Sequence, residues 1–410
     1  MATEAFAPLA DAEARAWGWD VPIAIIEHPL GGTPVDQIGN RATQIVDFIA
    51  TRLRVSPVSD HQTAEIEEEP LILAPSDPWG FSEFIDARGW GDGLPVLPPT
   101  AERVARMLEA AGVSPDAPVG RIPPERLTVA ALAVAANAVL AGCPDAAFPV
   151  VLAAVRASLD ERFNLLGLMA TTHPCTIATV VSGPVANELG MNTAASLYGP
   201  GNRMNALIGR SVRLALKNLG RAWPGPVDKS TQGSPAKYSF SFAENLEESP
   251  WGPYHTDRGF DADSSTVTVI GAEGSHNMHD PGSTTAENLV TFIAGSMTHS
   301  GHNNLYHKGD LFVVLCPEHA GVFDRDGWSR DRIREEIFAR AILPASAMGP
   351  EAFAHFLSRW PDRPELAYES AELTVVHRVE DINVVVGGGV GKHSSWIPTF
   401  GQSFSAIREL

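Results

Sequence analysis

His173 and Cys175 stand two residues apart where an apolar run begins, inside the segment Leu168–Asn192. In an extended segment such residues share a face, so an imidazolium beside the thiol would lower its pKa and make it a nucleophile. The structural alternative is that Cys175 is a small buried hydrophobe opening a strand. Thr171 and Thr172 precede the pair, Gly183-Pro184 stops the run, and Asn187, Glu188 and Asn192 restore polar groups. Polar residues at the ends of buried strands are where α/β proteins place ligands, which casts Thr172 and Asn192 as substrate-binding residues.

Seven of the 13 histidines, His255, His276, His279, His299, His302, His307 and His319, crowd into residues 255–319. His276 and Asp280 are candidate acid/base groups and Asn277 a substrate ligand. A metal site on His276, His279, His299 and His302 is the alternative. Imidazoles three apart meet one ion only on a helical turn, and Gly274, Pro281, Gly282 and Gly301 read as loop. No metal or other cofactor is therefore favoured, although a divalent metal stays open.

Lys237 lies in the polar stretch Asp228–Asn245, where apolar and aromatic neighbours would desolvate it and fit it to hold a carboxylate or assist as an acid. The competing reading is a solvated loop. Near the C-terminus, Gly387 to Ser395 offers exposed backbone amides beside Lys392, His393 and Ser394. Gly388 and Gly389 are thus expected to cradle an anionic group. It is not a P-loop, because His393 stands where GxxxxGK[ST] needs Ser or Thr. A tight structural turn is the other possibility.

Elements must position these groups. Val21–Ile26 reads as a strand, and Ile38, Ala42, Ile45, Val46, Ile49 and Leu53 give residues 35–53 helical spacing. One strand and its helices cannot cover their own apolar faces, so this is an incomplete N-terminal α/β unit, residues 1–55. Residues 56–78 carry four prolines and an acidic run and read as a linker. Residues 79–410 form the large catalytic domain. There, helices are expected at Thr100–Ala111, Leu127–Ala141, Pro149–Leu159, Arg203–Leu219, behind Thr285, and at Arg330–Ala341. Strands are expected at Ile177–Val181, Thr266–Ile270, Leu311–Cys316, Leu373–Val376 and Ile382–Val386. This alternation predicts an α/β fold with mixed or parallel sheet layers and flanking helices.

With 410 residues, 44% of them hydrophobic, the chain can bury a real core. A formal net charge of -19 argues against nucleic-acid partners. Three dispersed cysteines make no disulfide framework. The N-terminus lacks a secretory pattern, and the apolar stretch Val129–Cys143 is shorter than the roughly 20 residues of a membrane span. A cytoplasmic protein without membrane partners is expected.

Two regions resemble known proteins. Residues 2–53, from ATEAFAPLADAEARAWG through EHPLGG, are similar to the C-terminal part of the small UGSC-motif proteins, a thiol or selenol family. Residues 86–400 resemble the larger companion of that family through GDGLPVLPP, NLLGLMATTHP, GPVANELGMN, DKSTQGSPAKYSFSFAENLEESPW, STVTVIGAEGSHN, LCPEHA and GKHSSWIPTFG. The family's Gly-Ser-Cys or selenocysteine motif is absent from this chain, so the resemblance implies a separate small UGSC-like subunit supplying the reactive thiol. The candidate site residues, rather than the resemblance, lead to the expectation of an enzyme acting on a small polar, anionic metabolite by lyase- or hydratase-type chemistry, with histidine acid/base groups. A metal-dependent hydrolase and a noncatalytic subunit that stabilises a small thiol protein are the alternatives.

Overall fold

The structure, a computed structural model, describes residues 1–19, 21–29, 33, 35–52, 73–360, 366 and 371–410. At the N-terminus, β1 (Ala2–Thr3) pairs in parallel with β2 (Ile25–Ile26), beside helices Ala7–Ala16 and Val35–Arg52. Among the described residues this sheet has two strands, and Ile38, Val46 and Ile49 of the second helix are exposed. Most of the expected linker, residues 56–72, lies outside the described residues; Asp77 then caps the helix Pro78–Asp86, so residue 78 belongs to an element.

The hairpin β3 (Pro118–Ile122) and β4 (Leu127–Ala130) corrects one expectation, because the helix expected from Leu127 begins at Ala131. Thr128 and Val129 are β-branched and find strand partners in Arg121 and Gly120, whereas the alanine-rich run after them has high helix propensity.

The large domain is built on two mixed sheets. The first uses β5 (Thr176–Ser182), β6 (Ser241–Ala243), β7 (Thr266–Ala272) and a last strand near the C-terminus. The second uses β8 (His276–His279), β9 (Leu311–Leu315) and two later strands. A small antiparallel pair, β10 (Ile342–Pro344) and β11 (Glu372–Thr374), intervenes before β12 (Ile382–Val386), β13 (His393–Ile397) and β14 (Ala406–Glu409). The strand orders are β14-β7-β5-β6 and β12-β9-β13-β8. Within them β5/β6 and β12/β9 are parallel and the other pairs antiparallel.

Residue alternation shows how the layers stack. Ile177, Val181, Val267 and Val269 face one core, shared with helices Ala131–Ala141, Phe148–Ala157 and Arg203–Leu219. Their strand neighbours Ala178, Val180, Ile270 and Ala272 face the opposite way, onto Phe312, Val314, Val385 and Ile397 of the second sheet. Leu311, Val313, Leu315, Val384 and Val386 then meet helices Ala286–Ser296, Pro317–Arg325 and Arg330–Arg340. The order is helix, sheet, sheet, helix. Strands buried on both faces read as continuous apolar runs because each side chain removed from water contributes about 1.5–3 kcal/mol.

The sheets are stitched at one end. Ala272 makes a bridge with Thr399, the Glu273 N–H donates to the Pro398 carbonyl at 2.9 Å, and the Phe400 N–H donates to the Gly271 carbonyl at 2.7 Å. Because β5 and β7 are antiparallel with Thr176 opposite Ala272, residues just before β5 and just after β7 meet at this seam. No helix among the described residues is long and apolar enough to cross a membrane.

Candidate functional site

Arg213 and Lys217 lie four residues apart on the helix Arg203–Leu219 and project on one side of it. Both line a cavity of about 720 Å³, together with Asp228, Ser230, Lys237 and Tyr238. Asp228 accepts from Arg213 at 2.9 Å and from Lys237 Nζ at 2.6 and 2.8 Å. Burial alone would raise its carboxyl, but the Lys237 and Arg213 cations hold it below the carboxylate range. Lys237 also donates to Ser230 Oγ, and Ser230 Oγ donates to the His173 carbonyl at 3.1 Å.

Lys217 differs from the other two cations. It is 8% exposed, and its Nζ donates to the main-chain carbonyls of Gly89, at 2.8 Å, and Gly91. Its contacts are dipoles rather than a carboxylate. Burial pulls its pKa down to about 8. Asp92, also on the cavity wall, is taken by the bidentate Arg210 at 2.7 and 2.8 Å. An ammonium has three donors, so one N–H of Lys217 remains for a ligand.

A second cluster occupies the seam. His173 Nε2 stands 3.2 Å from Oε2 of Glu273, and the His173 ring stacks on Phe400. The two atoms are in ion-pair contact, both are buried, and neither has another hydrogen-bond partner. Burial would raise the Glu273 carboxyl, yet His173, with His276 and His302 farther off, holds it low. His276, His299 and His302 surround Trp396 at ring-centroid distances of 5.3, 5.9 and 5.2 Å. Burial, with His299 beside it, pushes His302 down to about 3.

His279 is not part of this group. In β8 a spacing of three puts His276 and His279 on opposite faces; His276 sits across from Trp396, and His279 across from His393, on which it stacks at 4.1 Å. The segment expected to be a loop is a strand because β13 pairs with it. Among the described residues no three or more His, Cys, Asp or Glu side chains stand in ready metal-binding geometry.

Several expected site residues serve the scaffold instead. Cys175 is 2% exposed, its Sγ lies 3.7 Å from the Leu168 carbonyl, and burial pushes its thiol up to about 12; this corrects the nucleophile reading. Asn192 closes its own turn by donating to the Ala195 carbonyl and accepting from the Ala194 N–H, whereas Thr172 gives only its main-chain carbonyl, to the Thr231 N–H at 2.9 Å, and keeps its side chain exposed. The glycine loop is a structural turn rather than an anion cradle. Its Gly387, Gly388 and Gly391 amides donate to the Leu315 carbonyl, the Thr193 carbonyl and the Glu318 carboxylate, and a Cβ on Gly389 would come within 2.7 Å of the Ala195 backbone.

The side chains around that loop are likewise engaged. Lys392 donates to the Pro281 carbonyl at 3.0 Å, His393 Nδ1 lies 2.9 Å from Asn277 Oδ1, and Ser394 Oγ accepts from the Cys316 N–H while bonding His319 Nδ1 at 2.7 Å. Asp280 Oδ1 accepts the Gly282 and Ser283 N–H groups. Burial would raise this carboxyl, but Ser283 and those amides hold it below the carboxylate range, which suits a turn and not a general base.

Arg213, Lys217 and Glu273 escaped sequence reasoning. The signal for the first two was present: cations at i and i+4 on the face of a helix that is otherwise buried. Glu273 is the first residue past β7, and nothing local marks it. Comparison with protein-family models, curated proteins and solved structures gives no match for this chain.

Proposed function

We propose that the chain is an enzyme that binds a small anionic metabolite in the cavity walled by Arg213, Lys217 and Lys237, and moves protons on it in lyase- or hydratase-type chemistry. The observation that carries this reading is Lys217, a buried ammonium held by carbonyls, facing a cavity large enough for a metabolite. A carboxylate or phosphate group entering there would become its counter-ion. Arg213 and Lys237 already share Asp228, so they add field and orientation.

A lysine brought near neutral pH by burial can give and take protons at physiological pH, which supports Lys217 as the proton-transfer group. Tyr238 and Ser230 supply hydroxyls along the same wall. His173 and His276, expected to handle protons, belong to the seam cluster; the cavity reaches His173 through the Ser230 bond to its carbonyl.

The resemblance to the UGSC companion adds a thiol-bearing subunit to this reading. It would dock on the N-terminal unit, whose sheet has two strands among the described residues and whose helix exposes Ile38, Val46 and Ile49 at 41, 62 and 45%. The three cysteines are all free, which supports a reducing, cytoplasmic setting.

Calorimetric titration at pH 7 with acetate, malonate, succinate and inorganic phosphate tests the cavity. At least one should bind the full chain and lose about tenfold or more in the Lys217→Met variant. Absence of binding by every anion, or equal binding by the variant, would refute the proposal.

A further inference from the structure

The charges on the cavity wall do not balance. Arg213, Lys217 and Lys237 supply three cations, and Arg213 and Lys237 share the single carboxylate of Asp228. The other carboxylate of the wall, Asp92, is held by the guanidinium of Arg210 and contributes a neutral pair. Two positive charges are therefore left over. They do not lie on an open surface, since Arg213 is 9% and Lys217 8% exposed. Burial lowers the Lys217 pKa to about 8, with Asp92 opposing the shift and Arg213 adding to it, so the Arg213 and Lys217 charges act in one field. Buried charge without a counter-charge opposes folding, and an arriving anion relieves it.

The remaining wall is of another kind. Leu214, Trp223, Pro224, Pro235 and Tyr238 offer apolar and aromatic faces. Tyr238 is 50% exposed, so its ring borders both the cavity and solvent. A volume of about 720 Å³ is far more than an inorganic anion fills and lies in the range of sites that enclose whole organic ligands.

From this division of the wall we infer that the cavity takes a dianionic acid head on a ring-bearing apolar body, as in a phosphate monoester or dicarboxylate of a cyclic metabolite. The inference deepens the reading of this cavity as the metabolite site and rests on it. A monoanion answers one of the two spare charges; a dianion answers both. Arg213 spends Nη2 on Asp228, so most of its donor fork is left for the head, beside the remaining N–H of Lys217. The ring lies against the faces of Trp223, Pro235 and Tyr238, where stacking adds to the area buried.

The test is calorimetric titration of the full chain at pH 7 with phenyl phosphate, methyl phosphate and benzoate, which separate the head from the body. Phenyl phosphate should bind about tenfold or more tighter than either of the others. Tyr238→Ala, an exposed change, should weaken phenyl phosphate about threefold or more and leave methyl phosphate unchanged. Lys217→Met should weaken phenyl phosphate by a larger factor than benzoate. Equal affinities for phenyl and methyl phosphate overturn the ring-bearing body, and benzoate binding as tightly as phenyl phosphate overturns the dianionic head. Small anions that bind through Lys217 without these preferences overturn this inference and leave the anion cavity standing, whereas a chain that binds no anion at all refutes both.

Discussion

Lys237 Nζ lies 2.6 Å from Oδ2 of Asp228, and Arg213 reaches the same oxygen at 2.9 Å. One carboxylate is therefore shared by two cations whose side chains are 16 and 11% exposed, and a net positive charge remains. Asp228→Asn keeps the shape and removes the charge, which should cost about 3–5 kcal/mol in denaturant unfolding. The same change makes the cavity more cationic, so anion affinity measured by calorimetry should rise. Stability and affinity moving in opposite directions is the signature; if both fall, the pair acts only as scaffold.

Lys217 makes a pH prediction. Burial depresses its folded pKa from 10.5 to about 8. Below pH 8 both the folded and unfolded chains carry the proton, and the full desolvation penalty opposes folding. Between about 8 and 10.5 the unfolded chain binds the proton while the folded chain does not, so stability from this group rises with pH across that window. Anion binding needs the ammonium and should weaken over the same range. Lys217→Met should flatten both profiles, as followed by thermal unfolding and calorimetry from pH 7 to 10; an anion affinity independent of pH would remove Lys217 from the site.

The α/β layers were legible because the strands are buried on both faces and announce themselves as apolar runs: β12 spans Ile382–Val386, the stretch its sequence suggests. β8, β13 and β14 were not, since their residues, HNMH, HSSWI and AIRE, become strands only through partners more than 100 residues away in sequence for two of the three pairings that hold them. That is also why His276 and His279 could not be assigned to faces. The 387–391 loop misled for a similar reason. Its amides look free in sequence, and Thr193, Leu315 and Glu318, which occupy three of them, are long-range contacts. Lys237 was visible through its polar neighbourhood, but the cavity it serves is also walled by Gly89, Gly91 and Asp92, far upstream in the chain.

The thiol at Cys175 should be inert. Pushed up to about 12 and enclosed, it offers almost no thiolate at neutral pH. Iodoacetamide at pH 8 followed by peptide mapping should leave Cys175 unmodified in the native chain and modify it in urea. Cys175→Ala removes a small buried group and should cost on the order of 1 kcal/mol without altering anion binding. Rapid native labelling of Cys175 would restore the nucleophile reading.

Gly183, one residue past β5, has φ +103, and a Cβ there would meet the Ser264 carbonyl oxygen at 2.2 Å, with the Ser265 Cα at 2.8 Å. Both obstacles are backbone, so no side-chain rotation relieves them. The turn must hold this shape because the preceding Ser182 Oγ is bonded to Glu244 and to His255 Nδ1 in the space between the sheets and their flanking segments. Gly183→Ala should therefore destabilise the chain by on the order of 3 kcal/mol. Gly190, at φ +62 with nothing within 4 Å, isolates the backbone term alone; Gly190→Ala should cost about 1 kcal/mol. Equal unfolding midpoints for the two variants in urea would show that the 264–265 backbone yields, and that the close approach at Gly183 is not what fixes the end of β5.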